Sequence, residues 1–143
     1  MRIDLHIHTT ASDGLLEPTA LVRAVQAAGV EVFSVTDHDS VDAVDEAKRT
    51  ADAAGLALVT GIELSACWGR VELHILGYFI DPANAALREF LGMTRDARRA
   101  RLRAMLSRLQ AMGMRVPADD VLARAQNGNV GRPHLARARW GRP

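Results

Sequence analysis

His6 and His8 stand two residues apart with Asp13 close behind, His38 lies between Asp37 and Asp39, and Glu63 and His74 follow. Imidazole nitrogens with carboxylate oxygens are the donor set of divalent-metal sites, and with Cys67 the only cysteine, a structural zinc knot is disfavoured. Such a cluster points to metal-assisted hydrolysis. Bound cations ionise water near neutral pH, so the expected catalytic group is metal-bound water and no side-chain nucleophile is required. Glu63 is the candidate bridge, because one carboxylate can offer an oxygen to each of two cations about 3.5–4 Å apart. No Ser-His-Asp or Cys-His set competes for the chemistry, and no Gly-rich phosphate loop of the P-loop type is present.

Each residue has a plainer reading when taken alone. The His6–His8 pair could be satisfied by hydrogen bonds, and Asp13 beside Gly14 could be a turn residue. Asp37-His38 could be a charge pair at a helix entry, Glu63 a solvated loop acid, and His74 a satisfied core histidine. Their joint placement near successive strand ends favours the metal reading. The donors suit manganese first, then iron or zinc, with magnesium less favoured by so many imidazoles.

The elements that must position these residues can be read from periodicity. Ile3, Leu5 and Ile7 alternate with Asp4, His6 and His8, which predicts a strand with both histidines on one face. Pro18 lies near a helix start, Leu21, Val22, Val25 and Ala28 form its stripe, and Gly29 ends it. Val30 to Val35 predicts a second strand that delivers Thr36-Asp37-His38. Ser40 is the expected cap of a helix running to Gly55. Leu56 to Val59 predicts a third strand leading to Gly61-Ile62-Glu63. Val71 to Phe79 predicts a fourth, entered through a turn around Trp68-Gly69-Arg70. Alternating strands and helices imply an α/β fold with parallel strands, whose chemistry collects at the carboxyl ends of the strands.

From about Ala85 to Met112 the sequence turns helical and Arg-rich, with an apolar face that includes Leu87, Phe90, Leu91, Leu102 and Met105. Short helices are expected from Pro117 and from Gly131-Arg132-Pro133-His134. Residues 1 to 85 hold 5 Lys+Arg and 13 Asp+Glu, a balance of −8; residues 86 to 143 hold 13 and 4, a balance of +9. An acidic half can hold cations and a basic half can attract phosphates, or the two halves can simply attract each other. The arginines from Arg95 to Arg108 could bind nucleic acid, against the plainer reading of a solvated helix face. No apolar run approaches the ~20 residues of a membrane span. A single cysteine, with Met1-Arg2-Ile3 leading straight into a strand, leads us to expect a cytoplasmic protein without a signal peptide.

His-x-His followed by Ser12-Asp13-Gly14, Thr36-Asp37-His38-Asp39, Gly61-Ile62-Glu63 and His74-Ile75-Leu76-Gly77-Tyr78 resembles the PHP (polymerase and histidinol phosphatase) family. Gly131-Arg132-Pro133-His134 resembles its small bacterial branch, which acts on nucleoside 3′,5′-bisphosphates and trims RNA from the 5′ end. The resemblance implies that His6, His8, Asp13, His38, Glu63 and His74 are ligands to two or three metals. It further implies that Arg132 and His134 face the substrate phosphate, and that the substrate is a phosphorylated nucleotide or short RNA. The implied fold is the N-terminal part of a distorted β/α barrel: residues 1–84 form the metal-binding portion and residues 85–143 a helical insertion. The family's later ligands, a further histidine and an Asp-x-His motif, are absent. The tail from Ala136 to Pro143 therefore reads as an abrupt end. A complementing C-terminal segment, or a non-catalytic metal-binding module, is the alternative expectation.

Overall fold

The computed structural model of the chain describes residues 1–123, 125 and 129–140, the side chains of Arg139 and Trp140 excepted. Gly141, Arg142 and Pro143, the end of the tail singled out in the sequence, lie outside the described residues. The elements run β1 (Ile3–Ile7), α1 (Pro18–Ala27), β2 (Val32–Val35), α2 (Val44–Ala54), β3 (Ala57–Trp68), β4 (Val71–Tyr78), α3 (Ala85–Ala111), α4 (Ala118–Leu122) and α5 (Arg132–Trp140). The four strands form one sheet in the order β1-β2-β3-β4. β1, β2 and β3 are parallel, and β4 returns antiparallel to β3. This is the α/β architecture expected of the sequence.

Helices α1 and α2 cover one face of the parallel strands. Pro18 occupies the first turn of α1, where its missing N–H costs nothing, and Leu21, Val22 and Val25 are buried below it. They join Phe33 and Val35 of β2 and Ala47 and Ala51 of α2 in the main core. Asp45 and Glu46 lie in the first turn of α2, favourably placed against its dipole, and Gly55 ends it at φ 70°. Ser40 does not cap α2. Its hydroxyl accepts from Asp42 N–H in the turn ahead, and the helix starts later, at Val44.

β3 departs most from the sequence expectation. It runs for 12 residues, through Gly61-Ile62-Glu63 and beyond, where the pattern predicted only Leu56 to Val59. Its first part pairs with β2 and its second with β4. Buried Ile62 belongs to a second core with Val41, Val44 and Leu91, while Leu58 packs against the first, so β3 serves two cores along its length. Gly61 is dictated by close approach: a Cβ there would lie 2.2 Å from Ser34 Oγ and 2.9 Å from Thr36 Cγ2.

The sheet is curled. Tyr78 at the end of β4 donates to the carbonyl of Leu5 in β1 at 3.0 Å, although two strands separate them in the sheet order. α3 crosses this assembly, with Leu91 in the second core and Leu102 in a third, formed with Val121, Ala125 and Val130. No helix among the described residues is long and apolar enough to cross a membrane.

Candidate metal centre

Pairing register brings the six residues together. Beyond β2, Glu63 N–H donates to the Asp37 carbonyl at 3.2 Å and Asp39 N–H to the Glu63 carbonyl at 2.9 Å. His38 and Glu63 thus sit side by side in an isolated parallel bridge. His74 lies opposite Ser65, two positions from Leu76, the partner of Glu63, and so reaches Glu63 diagonally. β1 contributes His6 directly, and the chain after it contributes His8 and Asp13. Gly14 lets that loop fold back, because a Cβ there would lie 2.3 Å from the His8 carbonyl oxygen.

Glu63 is the hub. Its Oε2 lies 2.8 Å from His6 Nε2, 3.0 Å from His8 Nε2 and 3.6 Å from His38 Nδ1; its Oε1 lies 2.6 Å from His74 Nδ1. Asp13 faces the other side, 3.2 Å from His8 Nδ1 and 3.8 Å from His38 Nε2. Three donor groups result: His6-His8-Glu63, His8-Asp13-His38 and His38-Glu63-His74, the atoms of each within 4.8 Å of one another. His38 Nδ1 is buried and has no hydrogen-bond partner among the described residues. A polar atom kept from water without a partner is costly, and a cation in the cluster would satisfy it. The residues present therefore fit divalent metal ions.

The electrostatics agree. Burial pushes the Glu63 carboxyl up, but His6, His38, His74 and His8 outweigh it and hold the carboxyl below its usual range. The hydrogen bond from His8, aided by the charges of His38 and His8 against the cost of burial, brings Asp13 down to about 2. Burial lowers His38, which keeps its imidazole neutral and able to ligate. Burial also pulls His8 down, but Asp13, Glu63 and Asp37 outweigh it and leave that ring more basic than usual.

Two further acids stand behind the cluster; the sequence suggested for Asp37 only a helix-entry charge pair with His38, and for Asp39 nothing. Asp37 is buried and accepts from Thr9 N–H at 2.7 Å, Thr9 Oγ1 at 2.6 Å and Ser12 Oγ at 2.5 Å, which pins the loop carrying His8 and Asp13. Asp39, also buried, accepts from Ser65 N–H at 2.9 Å and pairs with Arg98. Their placement on both sides of His38 was the available signal: strand-end acids that are not ligands tend to orient the ligands.

Beside the cluster lies a cleft of about 370 Å³ whose walls include Asp13, His38, His74, Arg98, Arg101 and Arg132. Arg132 is exposed and rests on Glu72 at 2.9 Å, which also receives Arg101 at 3.0 Å. His134 lines the cleft but is buried, and its Nδ1 accepts the Gly131 N–H at 3.0 Å. Of the arginines read as a solvated or nucleic-acid-binding face, Arg95, Arg98 and Arg101 form ion pairs with Asp42, Asp39 and Glu72. The basic half is thus partly neutralised by the acidic half.

A PHP domain signature spans residues 4–116. The chain belongs to the PHP domain family. It is 40% identical to the 5′-3′ exoribonuclease Rnm of Salmonella typhimurium, over 94% of this chain and 46% of that protein. It is 37% identical to the 3′,5′-nucleoside bisphosphate phosphatase of Chromobacterium violaceum, over 94% of this chain and 48% of that protein. A Chromobacterium violaceum structure described as an amidohydrolase with bound sulfate and no metal superposes with a TM-score of 0.91 at 36% identity, covering 96% of this chain and 49% of that one. A Bifidobacterium adolescentis protein described as a candidate metal-dependent phosphoesterase gives 0.88 at 35% identity, over 96% and 49%. The chain spans about half the length of the curated relatives it matches, so its fold is a partial PHP barrel.

Proposed function

We propose that the chain holds two or three divalent cations, manganese first, on His6, His8, Asp13, His38, Glu63 and His74, and that it serves hydrolysis of a phosphate ester of a nucleotide or short RNA. The observation that carries this reading is the position of Glu63, with one oxygen on His6 and His8 and the other on His74. Bound divalent cations supply Lewis acidity toward a phosphoryl oxygen and an ionised water at neutral pH. The chain's own residues hold and orient. Glu63 keeps two donor groups at one spacing, Asp13 closes the far side, and the cleft admits an anion between the cluster and the arginines. Arg132 leaves Glu72 to take a substrate phosphate with its planar fork, and Arg101 stays behind to neutralise Glu72. His134 acts by fixing the Gly131 backbone beneath Arg132. Residues 1–84 supply the metal-holding portion, and residues 85–143 form a helical insertion over it.

The test is phosphate release from 3′,5′-bisphosphorylated adenosine with added Mn²⁺. Turnover that disappears on chelation supports the reading; metal binding without turnover supports a non-catalytic metal-binding module. The second outcome is favoured by one fact, the coverage of about half of each relative. It would also make a complementing C-terminal segment the missing partner, tested by adding the second half of a full-length relative as a separate polypeptide. In a turning-over enzyme, Arg132→Ala is expected to raise KM with a smaller effect on kcat, since it removes a binding contact.

A further inference from the structure

Arg98 is the α3 arginine that turns inward. Its Nε donates to Asp39 Oδ2 at 2.8 Å, and its Nη2 donates to the same oxygen at 2.5 Å and to Ser65 Oγ at 2.8 Å. Its Nη1 reaches the Val130 carbonyl at 3.4 Å. One guanidinium therefore ties the helix to the turn after β2, to β3 and to the segment before α5.

Asp39 is fully buried and adopts φ 47°, a left-handed conformation that non-glycine residues rarely hold without support. It directly follows His38. The turn is held from both sides: Asp39 N–H donates to the Glu63 carbonyl, its other carboxylate oxygen accepts Ser65 N–H, and the Asn129 side chain donates to the His38 carbonyl. The direction of the His38 ring follows from this turn. That ring sits between Asp13 and Glu63 and carries the unpartnered Nδ1. A buried carboxylate held in a left-handed turn needs its counter-charge, and here the counter-charge comes from the helical segment.

We propose that Arg98 is a positioning residue for the metal cluster: acting through Asp39, it fixes the turn that aims His38, so the α3 helix sets cation affinity at the His38 side of the site. The inference rests on the metal reading above. The hydrogen bonds and ion pair of Arg98 go to Asp39, Ser65 and Val130, none of them among the six cluster residues. Its effect falls on the groups that include His38, and the His6-His8-Glu63 group is spared.

The experiment is Mn²⁺ titration by calorimetry of the wild-type chain and of Arg98→Ala, Arg98→Lys and Arg95→Ala. Arg98→Ala is expected to weaken one class of Mn²⁺ site by roughly 10–100-fold, the range for a lost orienting partner, with the other class unchanged. Arg98→Lys should recover part of the loss, since it restores the charge but not the fork. Arg95→Ala, which removes only the pair with Asp42, should match wild type. The ring ¹⁵N signals of His38 in metal-free protein give a second measure. They should move in Arg98→Lys while those of His6 stay in place, and this holds as a test even where the alanine variant fails to fold. Wild-type protein that binds no Mn²⁺ would sink the metal reading and this inference with it. Mn²⁺ binding that is intact in Arg98→Ala, or an unmoved His38 signal in Arg98→Lys, would overturn this inference alone.

Discussion

Glu63 and Asp37 show two uses of a buried acid. Glu63 has imidazoles on both oxygens and no backbone partner for its side chain, so its removal should cost the cluster more than the fold. Glu63→Ala is expected to lose at least one equivalent of Mn²⁺ by elemental analysis while keeping its far-ultraviolet circular dichroism. Full metal loading would refute the bridging assignment. Asp37 is the opposite case, since its carboxylate accepts from Thr9 and Ser12 in the loop that carries His8 and Asp13. Burial outweighs those bonds and raises its pKa, while the bonds themselves hold the loop. Asp37→Ala strips three donors of their acceptor and should destabilise by about 1–3 kcal/mol in urea unfolding. It should also weaken metal binding by ~10–100-fold through the displaced loop. The six cluster residues were legible because their types and spacing carry the chemistry. Asp37 and Asp39 were present in the same motif, but their roles depend on where Thr9, Ser12 and Arg98 arrive in space, which spacing along the chain does not encode.

Among the elements, β3 was the hardest to read and matters most for the site. Its 12 residues change partners midway, so neither strict alternation nor one continuous apolar run marks its full length. α3, by contrast, was legible almost to its last residue, Ala85–Ala111 against an expected Ala85 to Met112, because a long apolar stripe repeats the same signal many times. The tight β2–β3 contact yields a test. Gly61→Ala should destabilise by about 1–3 kcal/mol through the collision with Ser34 and Thr36. Ser34 Oγ is itself buried without a hydrogen-bond partner among the described residues, so Ser34→Ala alone should be neutral or stabilising. Thermal melts of the double variant should show a smaller loss than the sum of the two changes predicts. Strict additivity would mean that the two side chains do not meet.

In the molecule as a whole, acidic and basic halves are sewn together by Arg95–Asp42, Arg98–Asp39 and Arg101–Glu72, and the cluster lies at their seam. Cation binding should therefore stabilise the entire fold. At a hundredfold excess of Mn²⁺ over its dissociation constant, mass action adds about 2.7 kcal/mol, visible as a raised melting point that chelation reverses. An unchanged melting point across a Mn²⁺ titration would contradict the metal reading. The outer side of the β3–β4 hairpin, with Trp68, Val71, Leu73 and Ile75, stays exposed, and β1 has a sheet neighbour on only one side.

The order of the cluster along the chain matters for its birth. All six side chains lie between His6 and His74, so the ribosome delivers these proposed donors before it reaches Ala85, the first residue of α3. At the usual pace of translation the 37 residues from Ile75 to Ala111, the end of α3, take on the order of 2–7 s. During those seconds the imidazoles and carboxylates meet whatever cation is abundant nearby, with α3 not yet docked. On the metal reading, the ion that first loads is then selected by supply as well as by geometry.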